Sequence, residues 1–189
     1  WDAVYRQTGM IKVDSDDDIL DYMQAFYYLP LPRGNRAAIV VATGGIGVTI
    51  ADACADYGLE VARLSDETCS RLQSIVPTVG TCIDNPIDLG MMSAFDMQIG
   101  IDTVKALAED EGVDMIIKTV GTSDVELVQK EFESLSGFDK PVVYIFSSSL
   151  RVHVEPPKPV KGVSIFSNGR RAAQILSKMV QYQRYRSGN

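Results

Sequence analysis

Residues 36–58 read RAAIVVATGGIGVTIADACADYG. The stretch opens with an unbroken apolar run at 37–42, which is typical of a parallel strand buried on both faces. A glycine-rich turn follows at 43–47, and apolar residues then recur at helical spacing at Val48, Ala51, Cys54 and Ala55. The order of strand, glycine turn and helix predicts the first unit of an α/β domain.

The start of this predicted helix is a candidate anion site. The N–H groups of a first helical turn have no partner inside the helix and carry a partial positive charge, and glycines let a phosphate or carboxylate approach. The spacing fits no Walker A loop, since no Lys-Ser or Lys-Thr follows, and it lacks the third glycine of the dinucleotide fingerprint. The pattern leaves two interpretations, an anion site and a plain tight turn. The candidate phosphate-binding residues are Thr43, Gly44, Gly45, Ile46, Gly47 and Val48, with N–H donors near 45–48.

Composition and charge exclude several classes of partner. The chain has 189 residues, 46% of them hydrophobic, which is enough for a substantial core. A net charge of -7, without a basic cluster longer than Arg170-Arg171, argues against nucleic-acid binding. There is no signal sequence and no apolar run near the roughly 20 residues of a membrane span, so we expect a cytoplasmic chain with no membrane contact.

Cysteines and acidic residues predict no metal site. The three cysteines lack a metal-ligand spacing, so reduced thiols are expected, with Cys54 in the core. The run Asp16-Asp17-Asp18 follows Ser15, and carboxylates are favoured at the start of a helix by its dipole alone. We therefore interpret the run as the solvated start of a helix.

The rest of the chain alternates between apolar runs and amphipathic segments. The pattern predicts five strands, near 37–42, 59–63, 114–120, 141–146 and 162–166, and five helices, near 47–57, 66–76, 94–111, 123–136 and 168–185. This order predicts a three-layer, doubly wound α/β fold with a mainly parallel, five-stranded sheet. A proline- and glycine-containing segment ends near residue 34, and it predicts an N-terminal helix and linker over 1–34 before the main domain at 35–189.

Three polar loops are predicted at one edge of this sheet. Ligands of doubly wound sheets bind at the carboxyl ends of the strands, where the strand order reverses. The loops span 43–47, 83–90 and 119–124, and the candidate substrate-binding residues of the last two are Asn85, Pro86, Gly121, Thr122 and Ser123. Two simpler interpretations remain, because Asn-Pro favours ordinary turns and Ser123 is a good helix cap.

Several longer motifs occur in a fixed order. They are LPRGNR at 31–36, TGGIGV at 43–48, YGL at 57–59, LSDET at 64–68 and NPIDL at 85–89. The combination resembles the NDP-forming acyl-CoA synthetases, relatives of ADP-forming acetate–CoA ligase and succinyl-CoA synthetase. The resemblance runs from Trp1 to the carboxyl end and implies the flavodoxin-like ligase domain of succinyl-CoA synthetase type.

The resemblance implies a reaction and a set of partners. The full enzyme would convert a small carboxylic acid, CoA and ATP to acyl-CoA, ADP and phosphate through an acyl phosphate and a phosphohistidine. The glycine loop would face the phosphoryl group, and the Asn85 and Thr122-Ser123 loops would line the acid and acyl-phosphate pocket. A CoA-binding and histidine-bearing domain and a nucleotide-grasping domain or subunit would be the partners. CoA, ATP or ADP and Mg would belong to the full enzyme, with none bound tightly by this domain.

The chain departs from the family pattern at the catalytic centre. It contains no counterpart of the phosphorylated histidine, which is expected upstream of Trp1, so no catalytic residue is assigned and the isolated chain is predicted to be inactive. Its single histidine, His153, is interpreted as a surface loop residue. Met91-Met92 stands where many relatives have small residues.

Two other functions fit the same pattern. The chain could be an inactive synthetase-like regulatory module of a protein acetyltransferase, because some of those enzymes carry a copy of this domain array. It could also be an FMN-binding electron carrier, although its glycine loop lacks the hydroxyl-rich phosphate pattern of flavodoxins.

Overall fold

The structure is a computed structural model that describes residues 1–13, 15–91, 96–120, 122, 124–146 and 155–188, without the side chains of Asp2 and Arg6. Helices and strands alternate along most of the chain. In order they are α1 (Asp2–Thr8), α2 (Asp16–Tyr28), β1 (Arg36–Val41), α3 (Gly44–Asp56), β2 (Glu60–Val61), α4 (Asp66–Ile75), β3 (Ile87–Asp88), α5 (Met97–Glu109), β4 (Met115–Thr119), α6 (Val125–Ser134), β5 (Val142–Ile145), β6 (Val163–Phe166) and α7 (Gly169–Ser187).

The strands form one parallel sheet in the order β2-β1-β4-β5-β6, and β3 also pairs with β1. With β3 set aside, this is the 2-1-3-4-5 order of flavodoxin-like folds, and the order reverses between β1 and β4. The predicted doubly wound, mainly parallel sheet is confirmed. Among the residues that the structure describes the sheet has six strands, one more than predicted, because β3 lies in a segment that was predicted to be a loop.

Two hydrophobic cores cover the two faces of the sheet. Side chains of successive β1 residues point into opposite cores. Ile39 belongs to the core under α2, α3 and α7, whereas Val40 belongs to the core under α4, α5 and α6. Cys54 is fully buried in the first core, and burial raises the pKa of its thiol to about 11. The thiol is therefore protonated near neutral pH, and the predicted place of Cys54 in the core is confirmed.

Helix α2 packs into the first core through Tyr22, Ala25 and Leu29. Its acidic start is partly neutralised, because Asp18 and Asp21 both form ion pairs with Arg171 of α7. The boundary predicted at residue 34 thus separates α2 from a core that it helps to build, and the division of the chain at this point remains a prediction. Within the described residues, no helix combines the length and apolar character that crossing a membrane requires.

Candidate functional site

Helix α3 begins earlier than its pattern predicts. It starts at Gly44 rather than near 47, with Thr43 as an extended N-cap residue whose side chain makes no capping hydrogen bond. The N–H of Ile46 donates to the Thr43 carbonyl oxygen at 3.2 Å. Because an α-helical N–H bonds the carbonyl four residues before it, the N–H of Val48 lies inside the helix. The donors at the open end are therefore those of Gly44 and Gly45, and the predicted range of 45–48 is set too late.

The three glycines of this turn have different surroundings. A Cβ placed at Gly47 would lie 3.0 Å from Cβ of Pro86 and 3.3 Å from Cγ2 of Val41, so Gly47 allows α3 to pack closely on the sheet. A Cβ placed at Gly45 would meet no heavy atom within 4 Å in the described part of the chain. All three have ordinary negative φ angles. Gly45 is thus the open approach to the end of the helix.

Asp88 brings a negative charge to the other side of this turn. Its Oδ1 accepts a 2.8 Å hydrogen bond from the N–H of Gly90, and its Oδ2 would lie 3.2 Å from a Cβ at Gly44. The residue reaches this position because it pairs with Val41 at the carboxyl end of β1. Its place was not predicted, since that register depends on a two-residue strand. An anion at the end of α3 is therefore favoured on the Gly45 side, away from Asp88.

Asn85 directs its amide into the sheet rather than toward the sheet edge. Its Oδ1 accepts from the N–H of Ile39, and its Nδ2 donates to the carbonyl oxygens of Ala37 and Ala62, all at 2.9 Å. The amide lies beside the middle of β1 and fills the gap between β2 and β3. Pro86 packs beneath Gly47. This geometry does not support direct substrate contacts for Asn85 and Pro86, and it gives both residues a structural task.

Thr122 follows the carboxyl end of β4, the strand next to β1. Its Oγ1 accepts a 3.1 Å hydrogen bond from the N–H of Asp124, and Asp124 caps α6 by accepting from the N–H groups of Glu126 and Leu127. Asp124 is therefore the N-cap of α6, whereas the sequence suggested Ser123 for this position. The predictions for Gly121, Ser123, Met92 and His153 lie outside the described residues. Met91 is exposed.

The structure thus brings the predicted loops to one edge of the sheet, around the point where strand order reverses. Thr43 follows β1, Asp88 ends β3 beside it, and Thr122 follows β4. The start of α3 is formed by backbone N–H groups and small or apolar side chains. The carboxylate of Asp88 lies beside it, at Gly44. No cluster of metal-ligating side chains is found among the residues that the structure describes. The described part of this edge therefore offers backbone N–H groups at the start of α3, with the Asp88 carboxylate beside them.

No family model matches the chain. Over 194 aligned residues it is 30% identical to the ADP-forming acetate–CoA ligase II of Archaeoglobus fulgidus, an alignment that covers 98% of this chain and 28% of the ligase. Over 117 residues it is 34% identical to the alpha subunit of the ADP-forming acetate–CoA ligase II of Pyrococcus furiosus, which covers 62% of this chain and 25% of that subunit. The chain belongs to the NDP-forming acyl-CoA synthetase family.

A solved structure shows the same fold. The chain superposes with a TM-score of 0.75 on an acetyl-coenzyme A synthetase from Candidatus Korarchaeum cryptofilum, solved in complex with phosphate and ADP, at 20% identity over 98% of this chain and 41% of that one. The chain spans about a quarter of the length of the two curated relatives. It thus corresponds to one part of an NDP-forming acyl-CoA synthetase, and the comparisons favour neither the acetyltransferase module nor the FMN carrier.

Proposed function

We propose that the chain is the ligase domain of an NDP-forming acyl-CoA synthetase, in which the first turn of α3 receives a phosphoryl group. The observation that carries this proposal is the open end of α3 at Gly45, located where the strand order reverses. The reaction would join a carboxylic acid and CoA at the expense of ATP, giving acyl-CoA, ADP and phosphate. The similarity to ADP-forming acetate–CoA ligases supports it.

The chemistry of phosphoryl transfer suits this helix end. A phosphoryl group in transit carries negative charge on several oxygens, and preorganised backbone N–H donors stabilise it without moving. Such a group could approach at Gly45, because a Cβ placed there would have no heavy atom of the described residues within 4 Å. Ile46 and Val48 expose 45% and 61% of their surface beside this opening. In the proposed enzyme, the histidine-bearing domain would approach this exposed first turn of α3.

The other participants would be bound outside this domain. Thr122 would line the pocket for the acid or acyl phosphate, since accepting a bond from Asp124 leaves its hydroxyl hydrogen available to a ligand oxygen. CoA, ATP or ADP and Mg would be held by the CoA-binding and nucleotide-grasping domains. The isolated chain would then bind phosphate without completing the reaction.

The test replaces Gly45 in the full-length synthetase. Gly45→Val places a branched side chain at the open approach, and rapid-quench measurement of phosphohistidine formation reports its effect. Loss of a donor set of this kind lowers a rate by about a hundredfold or more. Ala55→Val is the matched control, because Ala55 is an exposed residue near the other end of the same helix. Gly45→Ala, a smaller side chain, is expected to give an intermediate rate.

The proposal predicts that Gly45→Val slows phosphohistidine formation while Ala55→Val leaves it unchanged. If Gly45→Val forms phosphohistidine at the rate of the parent enzyme, the glycine turn serves only to start the helix. Circular dichroism of each variant shows whether the fold is retained. A control variant that is equally slow would attribute the effect to helix stability rather than to the opening.

A further inference from the structure

A lysine and a glutamate are buried together on the face of the sheet covered by α5 and α6. Lys118 of β4 places its Nζ 2.9 Å from Oε1 of Glu131 in α6, and both side chains are less than a tenth exposed. The hydroxyl of Tyr144 in β5 donates to the same oxygen at 2.7 Å. Burial, followed by the charge of Glu131, raises the pKa of Tyr144 well above its usual value, so the phenol stays protonated and remains a donor.

The surroundings accommodate this pair closely. A Cβ at Gly100 of α5 would lie 3.1 Å from Nζ of Lys118 and 3.2 Å from Oε1 of Glu131, so the absence of a side chain there leaves room for both groups. Lys118 Nζ also lies 5.0 Å from the centroid of the Tyr144 ring. The neighbouring positions on this face, such as Val40 and Ile116, are apolar. Packing alone therefore does not require a charge at residue 118.

Buried ion pairs of this kind contribute little net stability, because desolvation of both ions offsets their attraction. What they do impose is geometry, since any other arrangement would leave a buried charge without its partner. Lys118 stands one residue before the end of β4, and Glu131 stands in the next helix. The ion pair therefore links the end of β4 to α6, the two elements joined by the segment that contains Thr122 and Asp124.

A continuous set of contacts joins the pair to the candidate site. Glu131 fixes α6 against β4, Asp124 caps the first turn of α6, and the N–H of Asp124 donates to Oγ1 of Thr122. A shift of α6 would move the cap, and with it Thr122. We propose that Lys118 and Glu131 are positioning residues that hold Thr122 in place at the sheet edge, an inference whose catalytic consequence rests on the proposed function.

The test exchanges the pair for apolar side chains in the full-length protein. The variant Lys118→Met, Glu131→Leu, Tyr144→Phe removes both charges and the hydroxyl that would lose its acceptor. The matched control is Arg71→Met, Glu109→Leu, which makes the same change at an exposed ion pair between α4 and α5. Hydrogen exchange of peptides covering 120–127, and the KM for the acid with kcat, are measured for each.

We expect the buried variant to remain folded while exchange at 120–127 becomes about tenfold faster or more, because the constraint on α6 is gone. KM for the acid should rise several-fold with a smaller change in kcat, and the control should change neither. A second variant, Lys118→Met with Glu131→Gln, also removes both charges but keeps an acceptor oxygen for the Tyr144 hydroxyl, and it should loosen the same peptides. It also provides the test if the apolar variant does not fold.

The two hypotheses fail in different ways. Unchanged exchange at 120–127 in both variants would overturn the positioning role. Faster exchange with an unchanged KM would uphold the positioning role and show that Thr122 does not line the acid pocket, which contradicts that part of the proposed function.

Discussion

The side-chain oxygen of Asn85 accepts a 2.9 Å hydrogen bond from the N–H of Ile39, in the middle of β1. The same amide donates to the carbonyl oxygens of Ala37 and Ala62. β2 pairs with the first two residues of β1, and β3 pairs with the last two. The Asn85 amide therefore supplies the hydrogen bonds that neither short strand provides.

Asn85→Ala should destabilise the fold. It leaves the N–H of Ile39 and the carbonyl of Ala62 buried without this partner. Each such group costs about 1–3 kcal/mol, so we expect a loss of about 2–6 kcal/mol in the free energy of unfolding. Urea denaturation measures it. Asn35→Ala is the control, because Asn35 donates to Gly58 in an exposed position and should cost under about 1 kcal/mol. Equal losses in the two variants would contradict the bridging role.

Gly47 and Gly45 should respond differently to alanine. A Cβ at Gly47 would lie 3.0 Å from Pro86, and such overpacking costs about 1–3 kcal/mol. Gly45→Ala meets no neighbour and replaces a poor helix former, so its unfolding free energy should stay equal or rise by up to about 1 kcal/mol. Thermal or urea denaturation of both variants checks the order. A Gly45→Ala protein less stable than Gly47→Ala would show that the packing of α3 is misassigned.

The ion pair between Arg36 and Asp114 should make stability depend on pH. Burial acts to raise the pKa of Asp114, but hydrogen bonds from the side chain and backbone of Arg36 outweigh it and hold the pKa below its ordinary value. A lowered folded-state pKa stabilises the fold above the unfolded-state pKa, near about 4, and this contribution is lost as pH falls through the folded value.

Asp114→Asn should therefore lower the free energy of unfolding by about 1–3 kcal/mol at neutral pH, and the difference from the parent should shrink below about pH 4. Urea denaturation between about pH 7 and pH 3 measures the difference. Asp139→Asn serves as control, since its pair with Arg33 is highly exposed and should contribute under about 1 kcal/mol. A difference at Asp114 that grows on acidification would reverse the expected sign.

The sequence predicts the alternation of elements well because buried parallel strands are continuous apolar runs, as in β1 and β5. It predicts the start of α3 poorly, because glycines disfavour helices and the helix nevertheless begins at Gly44. β3 has two residues and no periodicity, so its register and the place of Asp88 depend on contacts distant in sequence. The burial of Lys118 cannot be predicted from the sequence either, because its partner Glu131 lies in another element.

Asp88 offers a test of where an anion binds. Its Oδ2 lies beside Gly44, and its negative charge opposes an anion at the end of α3. Asp88→Asn removes the charge, while the amide oxygen can still accept from the N–H of Gly90. If phosphate binds at this helix end, the variant should bind inorganic phosphate about two- to fivefold more tightly at low ionic strength, as for one charge near a helix terminus.

Calorimetric titration with inorganic phosphate measures this change, with chloride at matched ionic strength as the reference. Asp52→Asn is the charge-matched control on the same helix, because residue 52 lies about 12 Å along α3 from residue 44, beyond the screening length of roughly 8 Å at physiological salt. The titrations are therefore repeated near physiological ionic strength. Under that condition Asp52→Asn should no longer change the affinity for phosphate, whereas Asp88→Asn should still increase it. An unchanged affinity in Asp88→Asn, or an equal gain in both variants at physiological salt, would show that phosphate does not bind at the start of α3.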